Sequence, residues 1–167
     1  MKSLLSRFTA SRAQIDIVAM EPKDCGNAAD LHGARFARAW SDGEFHALLG
    51  QEPVLGFVAI RSGLFVPKSL VGFVLAREVA GEAEILSVAV SAQYSGLGLG
   101  WRLVHSAIRE IRIRGGKSIF LEVDETNVAA LALYKKLRFK QVGERKGYYQ
   151  SAEGSKTTAL VMRLDLG

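Results

Sequence analysis

From Val88 to Gly100 the chain reads Val-Ala-Val-Ser-Ala-Gln-Tyr-Ser-Gly-Leu-Gly-Leu-Gly, and no other stretch restricts the fold as much. An apolar strand runs into a loop with glycine at alternate positions (Gly96, Gly98, Gly100), and an amphipathic helix follows at once. Gly100, Leu103, Val104, Ala107, Ile108 and Ile111 recur at helical spacing, while Arg102, His105, Arg109, Glu110 and Arg112 take the other face. Gly115-Gly116 ends that helix, with Arg112 and Arg114 suited to its negative end. The first amides of a helix have no intrahelical acceptor and sit at its positive end, and glycine lets a phosphate come close to them. The loop therefore reads as a pyrophosphate cradle, with a simple tight turn as the competing reading.

Three phosphate-binding patterns can be compared with it. A P-loop needs Gly-Lys-Ser or Gly-Lys-Thr at the helix start, whereas Gly100 is followed by Trp101-Arg102. A dinucleotide fold needs a third glycine where Trp101 or Leu103 stands, although Glu122 or Asp124 could supply its acid. The third pattern is Gln or Arg, two residues, Gly, one residue, then Gly or Ala. Ser95 to Gly100 meets it except at the first position.

Downstream, Ser118 to Val123 is a short apolar strand carrying one carboxylate, Glu122. Asn127 can cap a helix reaching about Leu137, with Ala130, Leu133 and Leu137 on one face and Lys135-Lys136 near its end. Lys140 to Tyr149 and Thr158 to Leu166 read as two last strands. Upstream, Gln14 to Ala19 is a strand, and Asp24 to Phe36 and Asp42 to Leu49 are helices. Val54 to Arg61 and Leu70 to Val79 are strands joined through a turn around Gly63 and Pro67, and Ala83 to Val90 follows a bend at Gly81. Strands first and a crossover helix later predict an α/β chain, a mixed α+β sheet with helices on its faces. On residue chemistry alone Glu122 is a general base or a carboxylate making a structural bond at a strand edge. Tyr134 is a proton donor, since a phenol near 10 stays protonated at neutral pH, or an aromatic packed on an apolar helix face.

Several of these segments together resemble the GNAT-type N-acetyltransferases. Residues 71–149 carry the resemblance, through Ala83 to Val90 (AEILSVAV), the glycine loop, Leu121-Glu122-Val123, Asn127 to Phe139 (NVAALALYKKLRF) and Gly147-Tyr148-Tyr149. Ala39-Trp40-Ser41 with Phe45 matches the family's early helical region more weakly. Within the family the likeness is greatest to the bacterial enzymes that acetylate the N-terminal alanine of a ribosomal protein. The resemblance implies a GNAT acyl-CoA N-acyltransferase fold, whose central sheet splays open between the strands ending near Val90 and Val123. It implies acetyl-CoA as cofactor, with the backbone of Val88, Ala89 and Val90 along the pantetheine arm and the Val90 N–H facing the thioester carbonyl. Ser95, Gly96, Leu97, Gly98, Leu99, Gly100 and Trp101 would hold the pyrophosphate, and Asn127 would also touch the cofactor. Glu122 would be the base and Tyr134, twelve residues on, the acid. Trp40, Tyr148 and Tyr149 would wall the acceptor groove.

The implied reaction moves an acetyl group to the N-terminal α-amine of a protein or peptide, a ribosomal protein beginning with alanine. A lysine side chain or small amine as acceptor, and a non-catalytic acyl-CoA-binding module, are the alternatives. The chain departs from the pattern at four places. Ser95 stands where Gln or Arg is usual, and Asp124 where the alanine-acetylating members carry a basic residue. Val128 to Ala130 varies without obvious chemical consequence. Arg138 replaces the glycine before Phe139, at a helix end that often needs a left-handed backbone, which costs a non-glycine residue roughly 1 kcal/mol.

Bulk properties bound the rest. At 167 residues a single domain, 1–167, is expected, with its first ten or so residues flexible. The net charge of +5 suits a ligand with several phosphates, and the basic residues form no dense run, so no direct nucleic-acid partner is expected. No apolar run approaches the ~18 residues of a membrane span, and Met1 to Ala10 lacks the apolar centre of a secretory signal. Cys25 is the only cysteine, so no internal disulfide forms and a reducing, cytoplasmic setting is expected. His32, His46 and His105 show no metal-ligand spacing, and no metal is expected.

Overall fold

Among the described residues seven strands form one mixed sheet. The structure is a computed structural model, and it describes residues 13–151 and 153–167. Met1 to Ala10, expected to be flexible and to carry no secretory signal, lies outside these residues. Along the chain come β1 (Gln14–Ala19), α1 (Cys25–Arg35), α2 (Asp42–Leu49), β2 (Val54–Gly63), β3 (Val66–Val79) and β4 (Glu82–Val90). Then follow α3 (Leu99–Ile113), β5 (Ser118–Asp124), α4 (Val128–Lys136), β6 (Lys140–Gln150) and β7 (Lys156–Asp165). Across the sheet the order is β1-β2-β3-β4-β5-β7-β6. Among the described residues no helix is long and apolar enough to cross a membrane.

The sheet has an apolar cluster on each face. On one, Leu103, Val104, Ala107, Ile108 and Ile111 of α3 pack on Val74, Ile85, Ile119, Leu121 and Val123, with Tyr134 and Phe139 beside them. On the other, Cys25 and Ala28 of α1 and Phe45 of α2 pack on Val58, Phe73, Leu75 and Ala89. The 3.6-residue spacing read in the sequence is the buried stripe of α3. Ser41 caps α2 through a reciprocal pair with Glu44, and Asn127 Oδ1 caps α4 by accepting from the Ala130 amide at 3.1 Å.

Two irregularities shape the middle of the sheet. Leu75 pairs with Ser87 while Ala76 pairs with Ile85, so Leu86 is an extra residue, a bulge in β4. Before it Ile85 faces α3; after it Val88 and Val90 do, and Ala89 faces α1 and α2. In addition, β4 and β5 pair in parallel only from Glu82–Ser118 to Glu84–Phe120. Beyond that, β4 stays paired with β3 as far as Gly72–Val90, and β5 with β7 as far as Asp124–Ala159. The sheet therefore opens between them, as the family resemblance implied.

Most element bounds expected from the sequence hold within a few residues. The turn between β2 and β3 differs: it falls at Leu64 and Phe65, and Pro67 lies inside β3. There the pairing is already irregular, between Arg61–Ser69 and Gly63–Val66, and Pro67, which has no N–H to give, is tolerated in such a place. Arg138 does take the left-handed backbone expected of it, at φ 70°, while the Phe139 amide donates to the Tyr134 carbonyl at 2.9 Å. Arg138→Gly is expected to stabilise the fold by about 0.5–1 kcal/mol, the relieved strain exceeding the added freedom of the unfolded chain. Urea midpoints of the two proteins check it.

Candidate active site

The glycine loop and the open seam of the sheet meet at the start of α3. Gly96 and Gly98 both have φ +76°, and a Cβ on either would meet nothing within 4 Å, so they supply backbone conformation facing free space. Gly100 serves a different purpose: a Cβ there would stand 3.2 Å from Leu133 Cδ2, so it lets α3 and α4 pack closely. Gly98 caps α3, and the first intrahelical bond runs from the Arg102 amide to its carbonyl at 3.1 Å. The amides of Leu99, Gly100 and Trp101 are thus left for an external acceptor, and the first turn has no acidic residue.

The other loop residues divide between backbone and packing roles. Leu99 is buried in the core, Leu97 and Ser95 are exposed, and the Ser95 amide closes a turn onto the Ala92 carbonyl. Trp101 stacks on His105, one turn along α3, with ring centroids 4.6 Å apart. Arg102 Nη2 donates to the Ile15 carbonyl at 2.9 Å and so ties α3 to β1. Beyond Glu84, the β5-facing edge of β4 has no strand partner, and Val88, Ala89 and Val90 lie along that edge.

The two expected catalytic side chains belong to opposite faces of the sheet. On β5, Ile119, Leu121 and Val123 join the α3 cluster, so Glu122 and Asp124 point to the α1–α2 face. Glu122 is partly buried, at 26% side-chain exposure, and its Oε1 lies 3.3 Å from Arg145 Nε on β6. An exposed pair of this kind contributes about 1 kcal/mol or less, so it orients the carboxylate without locking it. Tyr134 comes from α4 on the α3 face, is 5% exposed, and packs edge-on against Phe139 at 5.8 Å. Burial, with a smaller contribution from Tyr149, pushes its pKa up to about 12.

Tyr149 lies close enough to Glu122 and Asp124 that, after burial, their charges raise its own pKa. Tyr148 is exposed, packs edge-on to Tyr149 at 5.2 Å, and carries the Arg145 guanidinium 5.3 Å from its ring centre. Both tyrosines follow Gly147, whose φ of 65° lets β6 bulge between Arg145–Ala159 and Tyr149–Thr157. Trp40 sits on the α1–α2 connection, stacked on buried His32 at 4.7 Å, and its amide donates to His32 Nδ1 at 3.1 Å. Burial holds the His32 pKa below its ordinary value.

Asp124 is occupied. Burial alone would push its pKa up, but hydrogen bonds from the Thr126 amide and from the Thr157 and Thr126 hydroxyls outweigh it and hold it down. Its charge knits β5 to β7. Neither this role nor the reach of Arg145 to Glu122 has a local sequence signal, because both are contacts across strands. The orientation of Ser87 has no local signal either: a serine in an apolar strand gives no sign of which way a bulge turns it. Cys25, Asp42 and His46 bring one possible ligand atom each within 4.8 Å of one another. Burial and then Asp42 and Asp24 push the Cys25 thiol up, and His46 Nε2 already faces Asp42 Oδ1 at 3.3 Å. The trio is a protonated thiol beneath a surface contact.

Comparison with known proteins places this geometry. Residues 26–139 match the model of the acetyltransferase (GNAT) family. The chain belongs to that family. A GNAT enzyme of Escherichia coli K12, the [ribosomal protein bS18]-alanine N-acetyltransferase, is 31% identical over 90% of this chain and 97% of its own length. The N-alpha-acetyltransferase RimI of Mycobacterium tuberculosis is 33% identical over 96% of this chain and 98% of its own. The crystal structure of the Escherichia coli ribosomal-protein-S18-alanine N-acetyltransferase superposes with a TM-score of 0.81 at 28% identity, covering 92% of this chain and 95% of that one. As a GNAT member this chain is an acetyl-CoA-dependent N-acetyltransferase.

The raised pKa of Tyr134 has a consequence for stability. The folded state keeps this proton where the unfolded chain, near 10, has lost it, so stability falls as pH rises from about 10 towards 12. The full loss from this group is on the order of 2–3 kcal/mol. Guanidinium midpoints measured from pH 9 upward are expected to fall less steeply in Tyr134→Phe, with Tyr149 leaving part of the slope.

Proposed function

We propose that this chain, acting as one domain over residues 1–167, acetylates the N-terminal α-amine of a cytoplasmic ribosomal protein beginning with alanine. One observation carries the reading: the sheet opens between β4 and β5, with the carboxylate of Glu122 on β5 directed to one face and a proton-holding phenol, Tyr134, packed in the cluster on the other. The similarity to enzymes named for N-terminal alanine acetylation supports the acceptor.

The residues present fit acetyl-CoA. The Gly96–Gly98 backbone and the free amides at the start of α3 suit its pyrophosphate, with Ser95, Leu97, Leu99, Gly100 and Trp101 completing the loop. The unpaired edge at Val88, Ala89 and Val90 suits an extended amide-bearing arm, and Asn127 closes the far end as the cap of α4. When bound, acetyl-CoA supplies the acetyl group as a thioester, so the leaving group is a thiolate. Glu122 takes a proton from the acceptor ammonium, exchanging its Arg145 contact for the incoming cation. The Val90 N–H offers a donor to the oxygen that gains charge. Tyr134, with a pKa of about 12, holds its proton throughout the neutral range and can give it to the departing sulfur. Trp40, Tyr148 and Tyr149 frame the acceptor side.

The test is acetyl transfer from acetyl-CoA to a short peptide with a free N-terminal alanine, read by intact mass. A blocked, lysine-containing version of the peptide runs beside it. Modification of the free peptide alone is expected, with Glu122→Gln and Tyr134→Phe each lowering kcat by about 10²–10⁴-fold. Modification of the blocked peptide would move the acceptor to lysine, and acetyl-CoA binding without turnover on any amine would mark a binding module. Gly98→Ala, which strains a φ of +76°, is expected to raise KM for acetyl-CoA about tenfold and to leave the peptide KM unchanged.

A further inference from the structure

Ser87 is 8% exposed, and among the described residues its hydroxyl is the one buried side-chain polar atom with no hydrogen-bond partner. Such a group is disfavoured unless something that binds there completes it. Its position says what that is. The pairing of Ser87 with Leu75, which packs under α1 and α2, puts the hydroxyl on that face. The bulge at Leu86 turns it there, since Ile85 before it faces α3. On β5 the same face carries Glu122. The parallel register runs through Ala83–Ile119 and Glu84–Phe120. Two residues further on β5 is Glu122, and at that level of β4 stand Leu86 and Ser87. Leu86 packs into the α1–α2 cluster, which leaves Ser87 as the polar group across the opening from the carboxylate.

We propose that Ser87 Oγ is a second contact for the acceptor amine: it accepts one N–H of the incoming group while Glu122 takes another proton. Two fixed acceptors on opposite strands set the rotation of the amine about its C–N bond, which one carboxylate cannot do. The inference rests on the reading of Glu122 as the amine-facing base. It also accounts for a buried hydroxyl in a strand that is otherwise apolar from Ile85 to Val90.

Ser87→Ala tests it, because alanine fits the same space. Compared with wild type, the variant is expected to bind an N-terminal alanine peptide about tenfold more weakly in the CoA-saturated protein, measured by calorimetry. Its kcat/KM for the peptide is expected to fall by at least as much. KM for acetyl-CoA is expected to stay unchanged and Tm to stay equal or rise, as an unsatisfied hydroxyl has been removed. Ser87→Thr, which keeps the hydroxyl, is expected to recover part of the peptide affinity. Peptide binding and kcat/KM equal to wild type in Ser87→Ala would overturn the proposal. So would a lowered Tm with a raised acetyl-CoA KM, the mark of a packing role. Glu122→Gln measured in parallel separates the two readings. Full activity there means the amine site lies elsewhere; an inactive Glu122→Gln beside an unaffected Ser87→Ala removes Ser87 alone.

Discussion

The ladder between β4 and β5 stops after Glu84–Phe120, and the arrangement of the site depends on that stop. Both strands carry on, each held on its outer side, β4 by β3 and β5 by β7. The opening is therefore framed by two continuous ladders and is not a frayed end. The bulge at Leu86 falls where the strands part, and a bulge adds bend and twist to the strand that carries it. An unpaired strand edge inside a protein would ordinarily be costly. The chain leaves the end of that edge through the glycine loop and enters α3, whose first amides have no side-chain cap.

Glu122 and Tyr134 belong to different faces of the sheet and have different surroundings. The carboxylate is partly solvated and lies against a half-exposed cation, Arg145. The phenol is packed among apolar side chains, which raises the cost of losing its proton. Burial like that of Tyr134 would disfavour the charge of a carboxylate, and it is the partial exposure of Glu122 that lets its charge stay solvated.

How much of this was legible in the sequence depends on the range of each contact. Local signals were reliable: the α3 stripe, the Asn127 cap, the left-handed Arg138 and the alternating glycines are decided within one or two turns of chain. The division of labour among the glycines was not legible, because Gly100 is small for the sake of Leu133, over thirty residues away. Pro67 misled in the other direction: proline usually marks a turn, but an irregular stretch of pairing absorbed it. The splay came only from family resemblance, since no pattern within β4 or β5 records where their pairing ends. Asp124 shows the same limit. In the sequence it stood out as an acid where the alanine-acetylating members carry a basic residue, and its partners are Thr126 in the adjoining turn and Thr157 on β7.

Cys25 has an experimental use that follows from its setting. It is the only cysteine in the chain, it is fully buried, and its surroundings keep the thiol protonated. Thiol reagents react with accessible thiolates, so the native fold presents them with almost no target. A cysteine placed at exposed Leu97, on the rim of the glycine loop, would be the one fast-reacting site. A dye or spin label could then be attached there without first removing a native residue, making the chain its own background-free reporter of what enters the cradle.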